Sequence, residues 1–264
     1  MHFRNNYQKY IWLLSGTGEG PEIARTFLRN GWKVSVSVVS DHAAFAYFGI
    51  PLEDLWIGPL KGVTEIKKVL LGRKILNKSF DLVLDATHPF AQRITADLNK
   101  ACNESNQHIV RLIRPLSSPP WANYISDISE ISKFSFVGKS FLFAIGSRSL
   151  LKGARLVRQA GAEPFARILP TPKSIRLALS SDIASSHLAP LRPFQCSNNG
   201  EIETALCRKW SITSVLCRQS GGKTQQIWEE ICLNNDLDLW LISRPIEPEG
   251  MQVIYSIDDA LKKY

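Results

Sequence analysis

Short apolar runs bounded by glycine, proline or polar turn residues alternate along this chain with stretches whose apolar residues recur every three or four positions. The runs predict buried parallel strands, and the helical spacing predicts amphipathic helices laid on a sheet. Residues 11–14, all apolar, read as the first strand. Alternating Gly16, Gly18 and Gly20 then turn the chain, and Pro21 stands where a first helical turn accepts proline. Ile23, Ala24, Phe27 and Leu28 share one face of the following helix, which Gly31 ends. Strands follow at 33–39, 55–58, 81–86 and 108–115, with helices over 63–76 and 91–105.

The clearest break in this pattern is 116–123, rich in serine and proline, where a linker is predicted. Alternation then resumes. Strands are expected at 141–145, 164–169, 212–217 and 239–242, with a short one near 186–189, and helices from 150, over 173–181, 201–210 and 224–234, and at the terminus over 257–263. The predicted fold is α/β: two Rossmann-like doubly wound domains with predominantly parallel sheets facing a central cleft, divided as residues 1–122 and 123–264.

Composition narrows the function. The 264 residues are 44% hydrophobic and contain no apolar run near the roughly 18 needed to span a membrane, and the first residues lack a signal peptide's apolar core, so a cytoplasmic protein is expected. Five cysteines, with no C-x-x-C pair, favour neither a zinc site nor a disulfide framework, and no metal is expected. The net charge of +8 calls for an acidic partner. Its lysines and arginines are scattered and carry no aromatic pattern of a single-strand binder, which argues against nucleic acid.

Five strand ends carry candidate chemistry. The turn at Gly16, Thr17, Gly18 and Glu19 would leave backbone N–H groups at a helix start, where a pyrophosphate is stabilised. Its Gly-x-Gly-x-Gly spacing departs from the dinucleotide fingerprint, so a plain connecting turn is the competing reading. The second strand ends in Ser40, Asp41 and His42, where a ribose-reading residue sits in dinucleotide folds. Thr87, His88, Pro89 and Phe90 close the strand over 81–86, and His88 there is an acid, base or hydrogen-bonding group, or a structural histidine at a helix start. In the second half, Gly146, Ser147 and Arg148, and Ser220, Gly221 and Gly222, stand between strand and helix, where N–H groups hold carboxylates or phosphates unless the turns merely connect.

The succession Leu13 to Gly20, Asp85-Ala86-Thr87-His88-Pro89-Phe90-Ala91, Arg114-Pro115, Gly146-Ser147-Arg148, Arg192-Pro193-Phe194, Ser220-Gly221-Gly222 and Arg244-Pro245 resembles the precorrin-6A reductase family of cobalamin biosynthesis. The resemblance implies two Rossmann-like domains, an NADPH cofactor on the first, and reduction of a double bond of the precorrin-6A macrocycle, in metal-free or cobalt form, to give precorrin-6B. It assigns Gly16, Thr17, Gly18, Glu19, Ser40, Thr87 and His88 to the cofactor. Pro89, Phe90, Arg114, Gly146, Ser147, Arg148, Ser220, Gly221 and Gly222 fall to the substrate, and Arg218, Gln219 and His88 to the catalytic positions. The polycarboxylate substrate gives the positive charge a partner, with arginines at strand ends to meet it. A monomer or weak homo-oligomer, with no membrane or nucleic-acid partner, is expected.

The chain departs from the family pattern in three places. Cys217-Arg218-Gln219 replaces a Thr-Lys-Asp, and neither a guanidinium nor a primary amide readily delivers a proton. Arg192-Pro193-Phe194 replaces Gly-Pro-Phe, and Ser40-Asp41-His42 lacks an arginine that some members place there. The competing readings are a tetrapyrrole or nucleotide binder that has lost the proton donor, and a basic α/β protein that binds nucleic acid.

Overall fold

The computed structural model describes residues 7–16, 18–192 and 200–264. The chain folds into two compact units, the first formed by residues 1–114 together with 245–264 and the second by 115–244.

The first unit opens with β1 (Tyr10–Ser15), whose Ile11, Trp12 and Leu13 are fully buried. An apolar run flanked on both faces by helices has no solvent side, which is why it lacks polar alternation. It is followed by α1 (Gly20–Arg29), β2 (Lys33–Val38), α2 (Asp41–Phe45), β3 (Asp54–Ile57), α3 (Val63–Ile75), β4 (Leu82–Ala86), α4 (Gln92–Glu104) and β5 (Ile109–Leu112). The second unit holds β6 (Asn123–Ile125), β7 (Ser140–Phe143), α5 (Leu150–Gln159), β8 (Glu163–Ile168), α6 (Pro172–Leu179), β9 (Leu188–Pro190), α7 (Glu201–Lys209), β10 (Ser214–Arg218), α8 (Lys223–Asn234) and β11 (Asp238–Ile242). The chain then returns to the first unit with β12 (Val253–Ile254) and α9 (Ile257–Lys263).

Each unit has one six-stranded sheet, ordered β12-β5-β4-β1-β2-β3 and β6-β11-β10-β7-β8-β9, and every pairing is parallel. Both follow one doubly wound plan, with the strand order reversing beside β1 in one sheet and beside β7 in the other. Helices bury separate clusters on the two faces of each sheet: Phe27, Val36 and Leu84 on one side of the first, Trp12, Ile66 and Leu98 on the other. In the second, Phe143 and Val157 oppose Val215 and Trp228.

Two features correct the expected division at 122. Val253–Ile254 pair with Arg111 and Leu112 of β5, and Ala260 of α9 is buried in the first core, so the last twenty residues belong to the first unit. Asn123–Ile125 is a strand of the second sheet, so the predicted linker stops short of Asn123. Two- and three-residue edge strands leave no apolar run, and a terminal helix does not encode which sheet it covers. Among the described residues, no helix is long and apolar enough to cross a membrane.

Candidate functional site

The reversal of strand order in the first sheet falls between β1 and β4, and the turns leaving these strands meet there. A Cβ on Gly16 would stand 3.1 Å from the His88 nitrogen and 3.2 Å from the Thr87 Cα, so the absence of a side chain lets the two turns touch. Gly20 serves a different contact: a Cβ there would fall 1.9 Å from Ser15 Oγ and 2.1 Å from Tyr47 Oη, so only glycine allows α1 to start this close to β1. Gly20 thus does the helix–strand packing of the third glycine in the dinucleotide fingerprint, despite the altered spacing. A Cβ on Gly18 would meet nothing within 4 Å. Among the described residues no hydrogen bond takes the N–H of Gly18 or Glu19. Thr17 lies outside the described residues.

A buried network fixes the second turn. Asp85, fully buried in β4, accepts the Thr87 N–H at 2.9 Å and pairs with Arg111 Nη1 at 2.6 Å. Arg111, 1% exposed in β5, also donates to Thr95 Oγ1 at 2.9 Å and Thr87 Oγ1 at 3.3 Å, and its Nε pairs with Glu247. Asp85 and Arg111 are register partners on adjacent strands, so the sheet sets them side by side. The His88 Nδ1 accepts the Phe90 N–H at 3.2 Å, which leaves the neutral ring's proton on Nε2 as a donor. Pro89 is buried, while His88 and Phe90 are half-buried with ring centroids 5.8 Å apart.

Glu19, Ala86, Thr87, Pro89, Leu112 and Arg114 line a hollow at this edge. The Nε–H of Arg114 lies 2.9 and 2.8 Å from the two carboxylate oxygens of Glu19, which places Arg114 beside the glycine turn. Ser40, two residues beyond β2, caps α2 by accepting the Ala43 N–H at 3.3 Å.

In the second unit, Gly146, Ser147 and Arg148 follow β7, and Arg218 ends the adjacent β10. Burial first, and then the charge of Arg148, push the Arg218 guanidinium below its ordinary value, which sets two like charges at neighbouring strand ends. Gln219 is 5% exposed and committed to the backbone. Its amide donates to Ser117 O at 3.1 Å and Ser118 Oγ at 2.9 Å, and accepts the Arg244 N–H at 3.1 Å. These bonds brace the segment that follows β10. Arg244 donates to Ser220 O at 2.9 Å, Gln225 accepts the Gly221 N–H at 2.7 Å, and a Cβ on Gly221 would fall 2.1 Å from Pro115 O, so the turn Ser220-Gly221-Gly222 is held from several sides. Arg192 is described, while Pro193 and Phe194 lie outside the described residues.

Sequence reasoning passed over Arg111, Thr95, Glu247 and Gln225. The signal for Arg111 was present: a charged residue inside an apolar strand, matched by the lone acid of the run Leu82–Ala86.

These features define a class: a two-unit α/β protein of doubly wound parallel sheets, with a glycine turn and a braced Thr-His turn meeting at the point where nucleotide-binding folds take their ligand. Residues 10–264 match the family model for precorrin-6x reductase CbiJ/CobK, and the chain belongs to that family. It is 27% identical over 243 residues to a cobalt-precorrin-6A reductase of Synechocystis sp., covering 89% of this chain and 88% of that one. It is 27% identical over 252 residues to a precorrin-6A reductase of Mycobacterium tuberculosis, covering 95% of each. A solved structure of CobK precorrin-6A reductase superposes with a TM-score of 0.76 over 97% of this chain and 96% of that one, a likeness of fold at 21% identity. Family membership puts the chain among the oxidoreductases of cobalamin biosynthesis.

Proposed function

We propose that this protein reduces the precorrin-6A macrocycle to precorrin-6B with NADPH, the first unit holding the cofactor and the strand ends of the second unit meeting the substrate's carboxylates. The observation that carries the reading is the junction of the two turns at the strand-order reversal. There Gly18 opens onto free space, and Gly16 lies against the backbone of Thr87 and His88. A dinucleotide fits the residues present. Gly16, Gly18 and Glu19 offer uncapped N–H groups before α1 for a pyrophosphate, and Ser40, whose hydroxyl hydrogen is not used in capping α2, offers a donor for a 2′-phosphate. NADPH, when bound, supplies the hydride.

The chain's own residues bind and orient. The network of Asp85, Arg111 and Thr95 holds Thr87 in place, and the bond from the Phe90 N–H to Nδ1 orients the His88 ring. Arg148 and Arg218, at the ends of the neighbouring strands β7 and β10, are the cations assigned to the substrate's carboxylates. Ser147 and the turn Ser220-Gly221-Gly222 add hydroxyl and N–H donors. Hydride addition leaves one proton to be supplied at the other end of the conjugated system. Gln219 does not supply it, and solvent does. Anaerobic incubation of the full chain with precorrin-6A and NADPH tests the reading. The expected result is equimolar loss of nicotinamide absorbance and a changed corrinoid spectrum; tight binding of both without oxidation would reduce the protein to a binder.

A further inference from the structure

We infer that Glu19 and Arg114 act as one charge-compensated pair that sets how tightly the first unit holds its dinucleotide, with Arg114 a positioning residue of the cofactor side. The inference rests on the reading that the Gly16–Glu19 turn takes the pyrophosphate. Glu19 stands directly before α1, where the helix's N-terminal field favours an anion. Its carboxylate occupies that field and opposes any phosphate placed beside it. Arg114, on the exit from β5, supplies the compensating charge through Nε–H contacts of 2.9 and 2.8 Å.

The two partners are unequally exposed, with the Arg114 side chain 15% and the Glu19 side chain 52% exposed. The guanidinium is thus the more sheltered partner, on the wall of the hollow with Ala86, Thr87, Pro89 and Leu112, and the carboxylate is the more exposed one. The sequence-based expectation gave Arg114 to the macrocycle, whereas this geometry sets it on the dinucleotide turn.

The test is a double-mutant cycle read by calorimetric titration with NADPH, alongside thermal unfolding of each ligand-free variant. R114Q strips the counter-charge from Glu19 and is expected to weaken NADPH binding at least tenfold. E19Q removes the opposing anion and is expected to leave binding unchanged or to tighten it a few-fold. E19Q/R114Q restores the dissociation constant to within about threefold of wild type, and R114K does the same by keeping the charge. This restoration is a readout that a purely structural contact would not produce, since removing both partners of such a contact does not recover binding. An unchanged NADPH affinity in R114Q, or a double variant as weak as R114Q, overturns the inference while leaving the reductase reading in place. No NADPH binding by the wild-type chain removes that reading and the inference with it.

Discussion

Arg111 braces the Thr87 turn by joining Asp85 of β4, Thr95 of α4 and Glu247 through a single guanidinium. Replacing Arg111 by Met leaves Asp85 buried without its partner, a change that typically costs about 3–5 kcal/mol. A fall of that size in urea-unfolding stability is expected, with weaker binding at the Thr87 turn in the fraction that still folds. The neighbouring motif Asp-Ala-Thr-His-Pro-Phe was legible because its residues lie consecutively, whereas Arg111, Thr95 and Glu247 reach it only through the fold. Gln219 was legible only by its place in the chain, while the three hydrogen bonds that make it a brace depend on the fold.

The cysteines give a second check at this scale. Burial pushes the Cys102 and Cys207 thiols up to about 12 and raises Cys217 well above its ordinary value. Thiols so raised stay protonated in the native state, so the native protein binds more protons than the unfolded chain between their ordinary range and these higher values. Their contribution to stability is therefore full below about pH 9 and declines as pH rises further. We expect Cys102, Cys207, Cys217 and Cys232, all buried, to resist a disulfide reagent at pH 8 until denaturant is added. Rapid labelling of these four in the native protein would show that the cores around them open.

Among the elements, the strand–turn–helix over β1 and α1 is predicted to separate packing, at Gly20, from ligand binding, at Gly18. Gly20→Ala drives a methyl into Ser15 and Tyr47, and overpacking of this kind costs roughly 1–3 kcal/mol, which thermal unfolding will register. Gly18→Val meets open space, so its melting temperature should match wild type while NADPH affinity falls at least tenfold. Unchanged affinity in Gly18→Val would take the glycine turn out of the site. Long apolar strands and amphipathic helices were readable because burial on both faces imposes their pattern. The edge strands β6 and β12, at three and two residues, were not. Ending the chain at Arg244 removes β12, α9 and Glu247, baring the edge of β5 and one partner of Arg111. That shortened chain is expected to lose cooperative unfolding of the first unit, measurable by hydrogen exchange in β5.

For the molecule as a whole, the same sheet plan is built twice, each time with its outermost strand borrowed from a distant part of the sequence: β12 follows the second unit, and β6 precedes the βα units of its own sheet. A divided first unit was invisible to local pattern, which placed the boundary by composition alone. The net charge of +8 suits a substrate rich in carboxylates, and the arginines at the strand ends of the second unit give that charge a local expression. The central claim, direct reduction of the macrocycle by a dinucleotide held on the first unit, is tested most directly with NADPH deuterated on the transferred position. Anaerobic turnover in ordinary water should yield a reduced macrocycle carrying one deuterium by mass spectrometry. A reduced product free of deuterium from cofactor labelled on either face, or no reduced product at all, would contradict it.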